Sequence, residues 1–294
     1  MKLCRFGQDR LGVVIGDMVH DVTSAQDEIR AQAPYDMRGD AVIAALPAWR
    51  TRLEAMAKAA PGVPLASVAL LPPVARWTKT MAAPTNYRDH IAEMAAAREA
   101  AGGDVASKLG PDIGKAGIFL KANSSVVGMA EEIAIRFPDR RNDHEAEIVI
   151  VIGKKGTDIS QANALDYVAG YALGLDMTVR GPEDRSFRKS VDGYTPLGPW
   201  MVTADEIANV DDIPFTLHVN DEKRQDSNSQ HMVYSIRRLI EFASSFYTLH
   251  PGDLLYTGTP KGVGPVKPGD VVRVNSLPQF GELRMSVRAH TIGG

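Results

Sequence analysis

Two glutamates stand two positions apart at the start of a strongly apolar stretch. Glu145 and Glu147 lead into residues 148–152, whose β-branched side chains are typical of a buried strand. Residues i and i+2 of a strand face the same side, so the two carboxylates would point together. Carboxylates that close repel each other, and a hard divalent cation is the natural counter-charge. Two exposed acids at a solvated strand end are the alternative on this stretch alone.

A third acid lies inside another apolar stretch. Asp176 falls within residues 170–178, and a buried carboxylate is costly unless it is paired or bound to a metal. Asp176 is therefore the natural third ligand beside the two glutamates. The cations that follow it would neutralise this acid and bind a carboxylate-bearing substrate, unless they belong to a solvated loop. These cations are Arg180, Arg185, Arg188 and Lys189.

A histidine and a glutamate lie three positions apart upstream of these acids. If the segment is helical, His90 and Glu93 share one face, and the carboxylate can orient the imidazole. Such a dyad can take a proton from water. From the spacing alone, the start of an ordinary charged surface helix is the alternative.

A glycine-rich loop with two hydroxyl side chains occupies residues 257–264. It is not a phosphate-binding P-loop, because no Lys-Ser/Thr pair stands at the required spacing. The glycine spacing also excludes a dinucleotide fingerprint. Such a loop still brings backbone N–H groups and the hydroxyl of Thr259 close to a ligand.

The composition is that of an ordinary soluble globular protein. Of the 294 residues, 44% are hydrophobic and 23% are charged, and the net charge is -3. Nothing in this balance points to nucleic acid or to an anionic membrane. No apolar run approaches the roughly 18 residues of a spanning helix, so no membrane partner is expected.

The single cysteine bears on redox chemistry and location. Cys4 is the only cysteine, which excludes a disulfide within the chain and a cysteine-rich zinc site. It lies in an apparent first strand, where a small buried hydrophobic residue is the ordinary interpretation. The N-terminal residues lack the apolar core of a secretory signal. A cytoplasmic location is therefore expected.

The elements that must position these residues suggest two domains. Prolines near residue 72 predict a boundary between a small N-terminal domain, residues 1–72, and a catalytic domain, residues 73–294. After residue 115 strands outnumber helices and do not alternate with them regularly. This pattern predicts an α+β fold around a mixed or antiparallel sheet.

Helices are expected at several places. Residues 39–60 have helical periodicity, and Pro47 is expected to split them into two helices. Ser160 predicts the N-cap of a helix that runs to Val168. Residues 95–115 are rich in alanine and then in glycine, which favours a mobile loop or lid, with an ordinary disordered connection as the alternative.

Taken in order, these motifs resemble the fumarylacetoacetate hydrolase family over roughly residues 75–290. Each motif is weak alone, but their order and separations make the resemblance specific. The motifs are Asn86-Tyr87 with His90 and Glu93; His144-Glu145-Ala146-Glu147; Leu175-Asp176-Met177-Thr178-Val179-Arg180; Arg188-Lys189-Ser190 with Leu197-Gly198-Pro199-Trp200; and Pro251-Gly252-Asp253 with Thr257-Gly258-Thr259-Pro260-Lys261-Gly262-Val263-Gly264.

The resemblance implies a catalytic domain of mixed β-roll or sandwich type, a small N-terminal domain and a homodimer. It implies Mg²⁺ or Mn²⁺ held by Glu145, Glu147 and Asp176, with Ca²⁺ as a substitute in crystals. It also implies that His90 and Glu93 form a catalytic dyad on a segment that orders over the substrate.

Further residues match positions that line the site in relatives. Lys189 is expected to be catalytic, and Arg180, Thr259 and Tyr87 are expected to contact the substrate. The sequence departs from the family where many relatives have Asn before the third ligand, since this chain has Leu175. Many relatives also have Arg-Asp followed by Gln after that ligand, whereas here Arg180 is followed by Gly-Pro-Glu. This region touches substrate in relatives, so the choice of substrate is left open.

The function that these observations favour is hydrolysis of a carbon–carbon bond in a 2,4-dioxo acid, such as an acylpyruvate or fumarylpyruvate. The products would be pyruvate and a carboxylic acid. The alternative is an isomerase, tautomerase or decarboxylase that acts on a 2-oxo or 2-hydroxydienoic acid in aromatic catabolism and uses the same metal-enolate site. A non-catalytic protein with the same fold is disfavoured, because the three acids and the His/Glu pair are all present.

Overall fold

The computed structural model describes residues 1–100 and 113–291, and the side chains of all of these except residues 97–100. The lid expected at residues 95–115 therefore lies largely outside the described residues. The α-helices of this part are α1 (Thr23–Gln32), α2 (Ala41–Ala59), α3 (Arg88–Ala100), α4 (Ile113–Ala116), α5 (Arg185–Lys189) and α6 (Ile236–Phe246). None of these helices is both long enough and apolar enough to cross a membrane.

Strands are more numerous than helices in the described residues and do not alternate with them regularly, which confirms the α+β prediction. The strands before the first glutamate are β1 (Lys2–Phe6), β2 (Arg10–Ile15), β3 (Met18–Asp21), β4 (Gly62–Pro64), β5 (Leu70–Leu71), β6 (Thr80–Ala82), β7 (Phe119–Lys121), β8 (Val126–Val127), β9 (Ile133–Ile135) and β10 (Asn142–His144). The strands after it are β11 (Ala146–Ile152), β12 (Val168–Leu175), β13 (Thr178–Val179), β14 (Thr195–Thr203), β15 (Pro214–Val219), β16 (Glu222–Asn228), β17 (Leu254–Tyr256), β18 (Gly264–Pro265), β19 (Val271–Asn275) and β20 (Glu282–Ala289).

One large sheet runs through the molecule in the order β4-β3-β2-β1-β14-β12-β11-β17-β6-β7. Neighbours along this path are antiparallel, except that β17 and β6 are parallel. A five-stranded sheet has the order β16-β15-β19-β20-β9, and a short sheet has the order β13-β10-β18. The candidate active site lies at the ends of β11 and β12 in the large sheet, next to β10 and β13 of the short sheet.

Strand β11 is buried along its whole length because both faces of the large sheet are covered. Ile148 and Ile150 pack into one apolar cluster, whereas Val149 and Val151 pack into a second. Successive side chains of a strand point to opposite faces, so a strand covered on both faces is apolar at every position. The continuous apolar run after Glu147 is explained in this way.

The pairing of β11 with β12 brings Asp176 beside the glutamates. Ala146 pairs with Leu175, which places Glu145 opposite Asp176 at the end of the ladder. The backbone N–H of Asp176 donates to the carbonyl of Glu145 at 2.8 Å. Residues opposite each other in an antiparallel pair have neighbouring side chains, so strand pairing assembles the three acids.

The N-terminal strands extend the large sheet. Strand β1 pairs with β14, with Leu3 opposite Met201. Strands from both sides of residue 72 therefore share one sheet, and the domain boundary there stays a prediction.

One expectation about helices is wrong, and a second is confirmed in position. Pro47 lies inside α2 and does not split it. Ile43 and Leu53, on either side of Pro47, are buried in the same apolar cluster, so packing holds the helix together across the missing hydrogen bond. The helix expected after Ser160 is present as a 3-10 helix at Gln161–Tyr167, with Ser160 at its N-cap position and Val168 at its C-cap position. The side chain of Ser160 makes no capping hydrogen bond.

Candidate active site

Glu145, Glu147 and Asp176 form a buried cluster of carboxylates at one end of β11. Each offers an oxygen atom, and these atoms all lie within 4.8 Å of one another. The relative exposures of the three residues are only 6%, 1% and 1%. The structure thus brings together the three acids that the sequence singled out.

Cationic side chains neutralise two of the three carboxylates. Lys189 Nζ donates to Glu145 Oε2 at 2.7 Å and to Asp176 Oδ2 at 2.6 Å. Lys121 Nζ donates to Asp176 Oδ1 at 2.5 Å, and Arg180 Nη2 donates to Glu145 Oε1 at 3.1 Å. Burial raises the pKa of Glu145, but Lys189 and then Arg180 outweigh it, and the pKa falls to about 2.

Glu147 differs, because no cationic side chain pairs with it among the described residues. Its Oε2 accepts the backbone N–H of Gly258 at 2.7 Å. Burial and then the Asp176 carboxylate raise the pKa of Glu147 well above its usual range. Three oxygen donors, one of them an acid without a cation, fit a hard divalent metal ion. These residues are therefore the candidate metal ligands.

His90 and Glu93 lie near the start of α3 and interact directly. His90 Nδ1 is 3.2 Å from Glu93 Oε2, and the histidine is 8% exposed. An ionised carboxylate only accepts hydrogen bonds, so Glu93 assigns the proton of His90 to Nδ1. This tautomer leaves Nε2 as the basic nitrogen.

The loop at residues 257–262 connects the carboxylate cluster to the dyad. The N–H of Gly258 donates to Glu147, and the N–H of Gly262 donates to Glu93 Oε1 at 3.0 Å. Gly258 has a φ of +94°, and a Cβ there would lie 2.7 Å from the Cβ of Asn86. Both the conformation and the available space therefore require glycine at this point of the loop.

Gln225 on β16 holds this loop against β11 and was not among the residues predicted from the sequence. Its Oε1 accepts the N–H of Ala146 at 2.9 Å, between the two glutamates. Its Nε2 donates to Thr259 Oγ1 at 2.8 Å and to the carbonyl of Pro260 at 3.0 Å. Strand β16 is polar at every position, so no hydrophobic pattern marks Gln225 as buried.

One cavity of about 170 Å³ collects most of the predicted residues. Its wall includes all three acids, the histidine of the dyad, the loop threonine and the two cations that were matched to site positions of relatives. These residues are His90, Glu145, Glu147, Asp176, Arg180, Lys189 and Thr259. Arg185, Arg188 and Phe119 also line the cavity.

Tyr87 is the predicted substrate contact that the structure does not place on the cavity wall. Its side chain is fully buried, and its ring packs edge-on against Phe215 with centroids 6.1 Å apart. Packing into the core explains this placement, since a large aromatic ring gains most from complete burial.

Comparison with known proteins supports the resemblance seen in the motifs. Residues 79–288 match the family described as fumarylacetoacetate (FAA) hydrolase C-terminal. The chain is 48% identical over 290 residues to maleylpyruvate hydrolase of Aquipseudomonas alcaligenes, covering 98% of this chain and 100% of that protein. It is also similar to the crystal structure of maleylpyruvate hydrolase from Sphingobium sp. SYK-6 in complex with manganese (II) ion and pyruvate, with a TM-score of 0.83, 37% identity and coverage of 99% and 100%. For 2-hydroxyhepta-2,4-diene-1,7-dioate isomerase from Mycobacterium marinum the TM-score is 0.70, with 25% identity and coverage of 100% of both chains. The chain belongs to the fumarylacetoacetate hydrolase family.

Proposed function

We propose that this protein hydrolyses a carbon–carbon bond of an acylpyruvate and releases pyruvate and a carboxylic acid. The observation that carries the proposal is the presence of His90, oriented by Glu93, on the cavity that the three buried carboxylates also line. The similarity to two maleylpyruvate hydrolases, one of them in complex with pyruvate, supports this substrate class. Such 2,4-dioxo acids arise in aromatic catabolism.

We infer that the cofactor is Mg²⁺ or Mn²⁺ and that Glu145, Glu147 and Asp176 hold it. When bound, such a cation supplies a Lewis acid that polarises the oxygens of a 2-oxo acid and offsets negative charge as it develops. Manganese in the related structure supports this assignment. The lack of a paired cationic side chain at Glu147, within the part of the chain that the structure describes, supports it independently.

In this proposal His90 Nε2 takes a proton from a water molecule, and Glu93 stabilises the resulting imidazolium. The hydroxide adds to the C4 carbonyl of the substrate. The C3–C4 bond then breaks, and its electron pair passes into the enolate of pyruvate. The proton held by His90 returns to C3, which completes the release of pyruvate and the acid.

Other side chains bind the substrate and stabilise its charge. Lys189, which lies at 2.7 Å and 2.6 Å from two of the carboxylates, stabilises the enolate as it forms. Arg180 and Thr259 contact the substrate from the cavity wall.

Isomerisation is the second candidate, because a related structure is that of an isomerase. Isomerisation and decarboxylation need the same enolate, so product identity distinguishes the reactions. The purified protein should be incubated with Mn²⁺ or Mg²⁺ and with maleylpyruvate, fumarylpyruvate or acetylpyruvate, and the products followed by NMR. Pyruvate and an acid in equal amounts are expected. An unchanged mass would instead indicate isomerisation, and carbon dioxide would indicate decarboxylation.

We also infer a cytoplasmic homodimer. The only cysteine, Cys4, is a free buried thiol, which suits a reducing compartment. We infer the dimer because members of this family are usually dimeric. Light scattering after gel filtration should give twice the mass of 31.8 kDa, and a monomer at working concentration would contradict this inference.

A further inference from the structure

The helix α5 presents three cations to the cavity. Arg185 precedes Arg188 by three residues and Lys189 by four, which places all three on one face of the helix. All three line the cavity. Phe187, between them in sequence, is 68% exposed on the other side. The spacing of these residues therefore gives the cavity a cationic wall.

The two arginines of this wall have few partners, in contrast to the lysine with its two carboxylates. Arg188 Nε donates to the carbonyl of Glu183 at 2.8 Å, and its Nη1 donates to the carbonyl of Val179 at 3.3 Å. These are neutral acceptors. Among the described residues, Arg185 makes no hydrogen bond or ion pair. Its guanidinium carbon lies 5.5 Å from the centre of the Phe119 ring.

A half-buried guanidinium without a counter-ion is electrostatically unfavourable. Burial and then the charge of Arg188 lower the pKa of Arg185 from its ordinary value. The acids whose charges act on Arg185 already have other partners. Glu145 accepts hydrogen bonds from Arg180 and Lys189, Asp176 accepts from Lys189 and Lys121, and Asp184 accepts the N–H of Ser186. A carboxylate from a ligand would supply the missing negative charge, and the planar fork of arginine is suited to bind it through two hydrogen bonds.

The position of Arg185 indicates which carboxylate it would bind. It precedes Lys189 by four residues, or about 6 Å along the helix axis. Lys189 marks the end of the cavity where the acid cluster lies and where the oxo-acid end of the substrate binds in the proposed function. A carboxylate at Arg185 therefore belongs to the other end of the substrate, beyond the bond that breaks.

We propose that Arg185, assisted by Arg188, binds the distal carboxylate of a dicarboxylic acylpyruvate. The protein then prefers acyl groups that end in a carboxylate to acyl groups that end in a methyl group. This inference rests on the proposed function, because it assigns a specificity-determining role within the same cavity. The Phe119 ring, 5.5 Å from the guanidinium carbon, attracts the cation without accepting a conventional hydrogen bond, so the N–H groups stay available for the ligand.

The test compares one dicarboxylic and one monocarboxylic substrate, maleylpyruvate and acetylpyruvate, in the intact protein with Mn²⁺. Arg185→Met removes the charge and keeps an unbranched side chain on the ring. It should lower kcat/KM for maleylpyruvate about 10- to 100-fold, mainly through KM, and change kcat/KM for acetylpyruvate little. Arg185→Lys should recover part of the loss, because a point charge remains without the fork. Arg136→Met removes an exposed cation that pairs with Asp192 outside the cavity, and should leave both substrates unaffected.

Each other outcome overturns the inference. If Arg185→Met lowers kcat/KM equally for both substrates, or for neither, Arg185 does not bind the distal carboxylate. The proposed hydrolysis would not be affected by that result. Failure of the wild-type protein to cleave either substrate would reject the proposed function and the subsite with it. If Arg185→Met does not fold, Arg185→Lys provides the test instead. If Arg185→Lys prefers maleylpyruvate to acetylpyruvate as strongly as the wild type does, a subsite in which Arg185 makes two hydrogen bonds to the carboxylate is contradicted.

Discussion

The carboxylate of Glu93 interacts with two separate parts of the site. Its Oε2 lies 3.2 Å from His90 Nδ1, and its Oε1 accepts the backbone N–H of Gly262 at 3.0 Å. One side chain therefore orients the base and also ties α3 to the loop that carries Thr259. A side chain at this position needs two acceptor oxygen atoms to make both contacts.

The substitution Glu93→Gln should therefore inactivate the protein without unfolding it. An amide has one donor end, so either the bond to Gly262 is lost or His90 Nδ1 becomes an acceptor and its Nε2 carries the proton. The second case removes the basic nitrogen. We expect kcat for an acylpyruvate to fall by about 10²- to 10⁴-fold with little change in Tm.

Asp89→Asn is the matched control for Glu93→Gln. Asp89 lies on the same helix and is 62% exposed, and its ion pair among the described residues is with Lys261, at 3.5 Å. Its substitution should leave kcat close to that of the wild type. Wild-type kcat in Glu93→Gln would show that the orientation of His90 does not limit the reaction.

Gln225 should prove to be a positioning residue. Gln225→Leu keeps a similar volume but leaves the N–H of Ala146 and the carbonyl of Pro260 without partners, which costs about 1–3 kcal/mol for each buried group. Urea unfolding should show the loss of stability. Because Thr259 also loses its anchor, KM should rise by more than kcat falls. Equal KM values in variant and wild type would reduce Gln225 to a purely structural role.

Gln161→Leu provides the comparison for Gln225. Gln161 is exposed and donates to Glu241 at 2.9 Å, far from the loop in sequence and outside the cavity. Its replacement should change the free energy of unfolding by no more than about 0.5 kcal/mol and should leave KM unchanged.

Much of the acid cluster could be predicted because strand geometry is regular. The alternation of a strand placed Glu145 and Glu147 on one side, and a costly buried acid pointed to Asp176. The hydrogen bonds of Gln225 and Lys121 could not be predicted in the same way. They join segments far apart in sequence, and the register of β11 with β12 and the path of the loop decide them.

The prediction of two helices at Pro47 failed because local preference competes with packing. A proline inside a helix removes one hydrogen bond and crowds the preceding turn, at a cost of about 3 kcal/mol. The buried side chains of Ile43, Leu46 and Leu53 hold α2 on the sheet and outweigh that cost. Tertiary contacts of this kind are invisible in a single helical segment.

Pro47→Ala should consequently stabilise the protein. Pro47 is exposed, so the substitution loses little packing and restores a backbone hydrogen bond within α2. We expect a gain of about 1–2 kcal/mol in the free energy of unfolding, after allowing for the greater freedom of the unfolded chain. Urea unfolding measures it. Pro61→Ala, in the exposed segment after the helix, should give no gain, and a gain of the same size there would contradict this explanation.

Cys4 should be unreactive in the folded protein at pH 8. Burial raises the pKa of its thiol to about 12, so the thiolate is scarce at that pH. Because the pKa of the Cys4 thiol is higher in the folded than in the unfolded protein, the thiol stabilises the folded state below its unfolded pKa of about 8.5. This stabilisation is lost as the pH rises towards 12. A coloured disulfide reagent should label the protein only in denaturant. Rapid labelling of the native protein would show that β1 opens or that Cys4 is exposed.

Glu147→Gln should separate folding from metal binding. Burial and Asp176 already favour the neutral form of this side chain, and an amide oxygen can still accept the N–H of Gly258. The metal-free variant should therefore stay within about 1 kcal/mol of the wild type in urea unfolding. Mn²⁺ at a hundred times its dissociation constant should stabilise the wild type by about 2.7 kcal/mol, and the variant should lose most of this response because one anionic ligand is gone. Asp192→Asn, an exposed acid paired with Arg136, should keep the full response. A wild-type response to Mn²⁺ in Glu147→Gln would remove Glu147 from the ligand set.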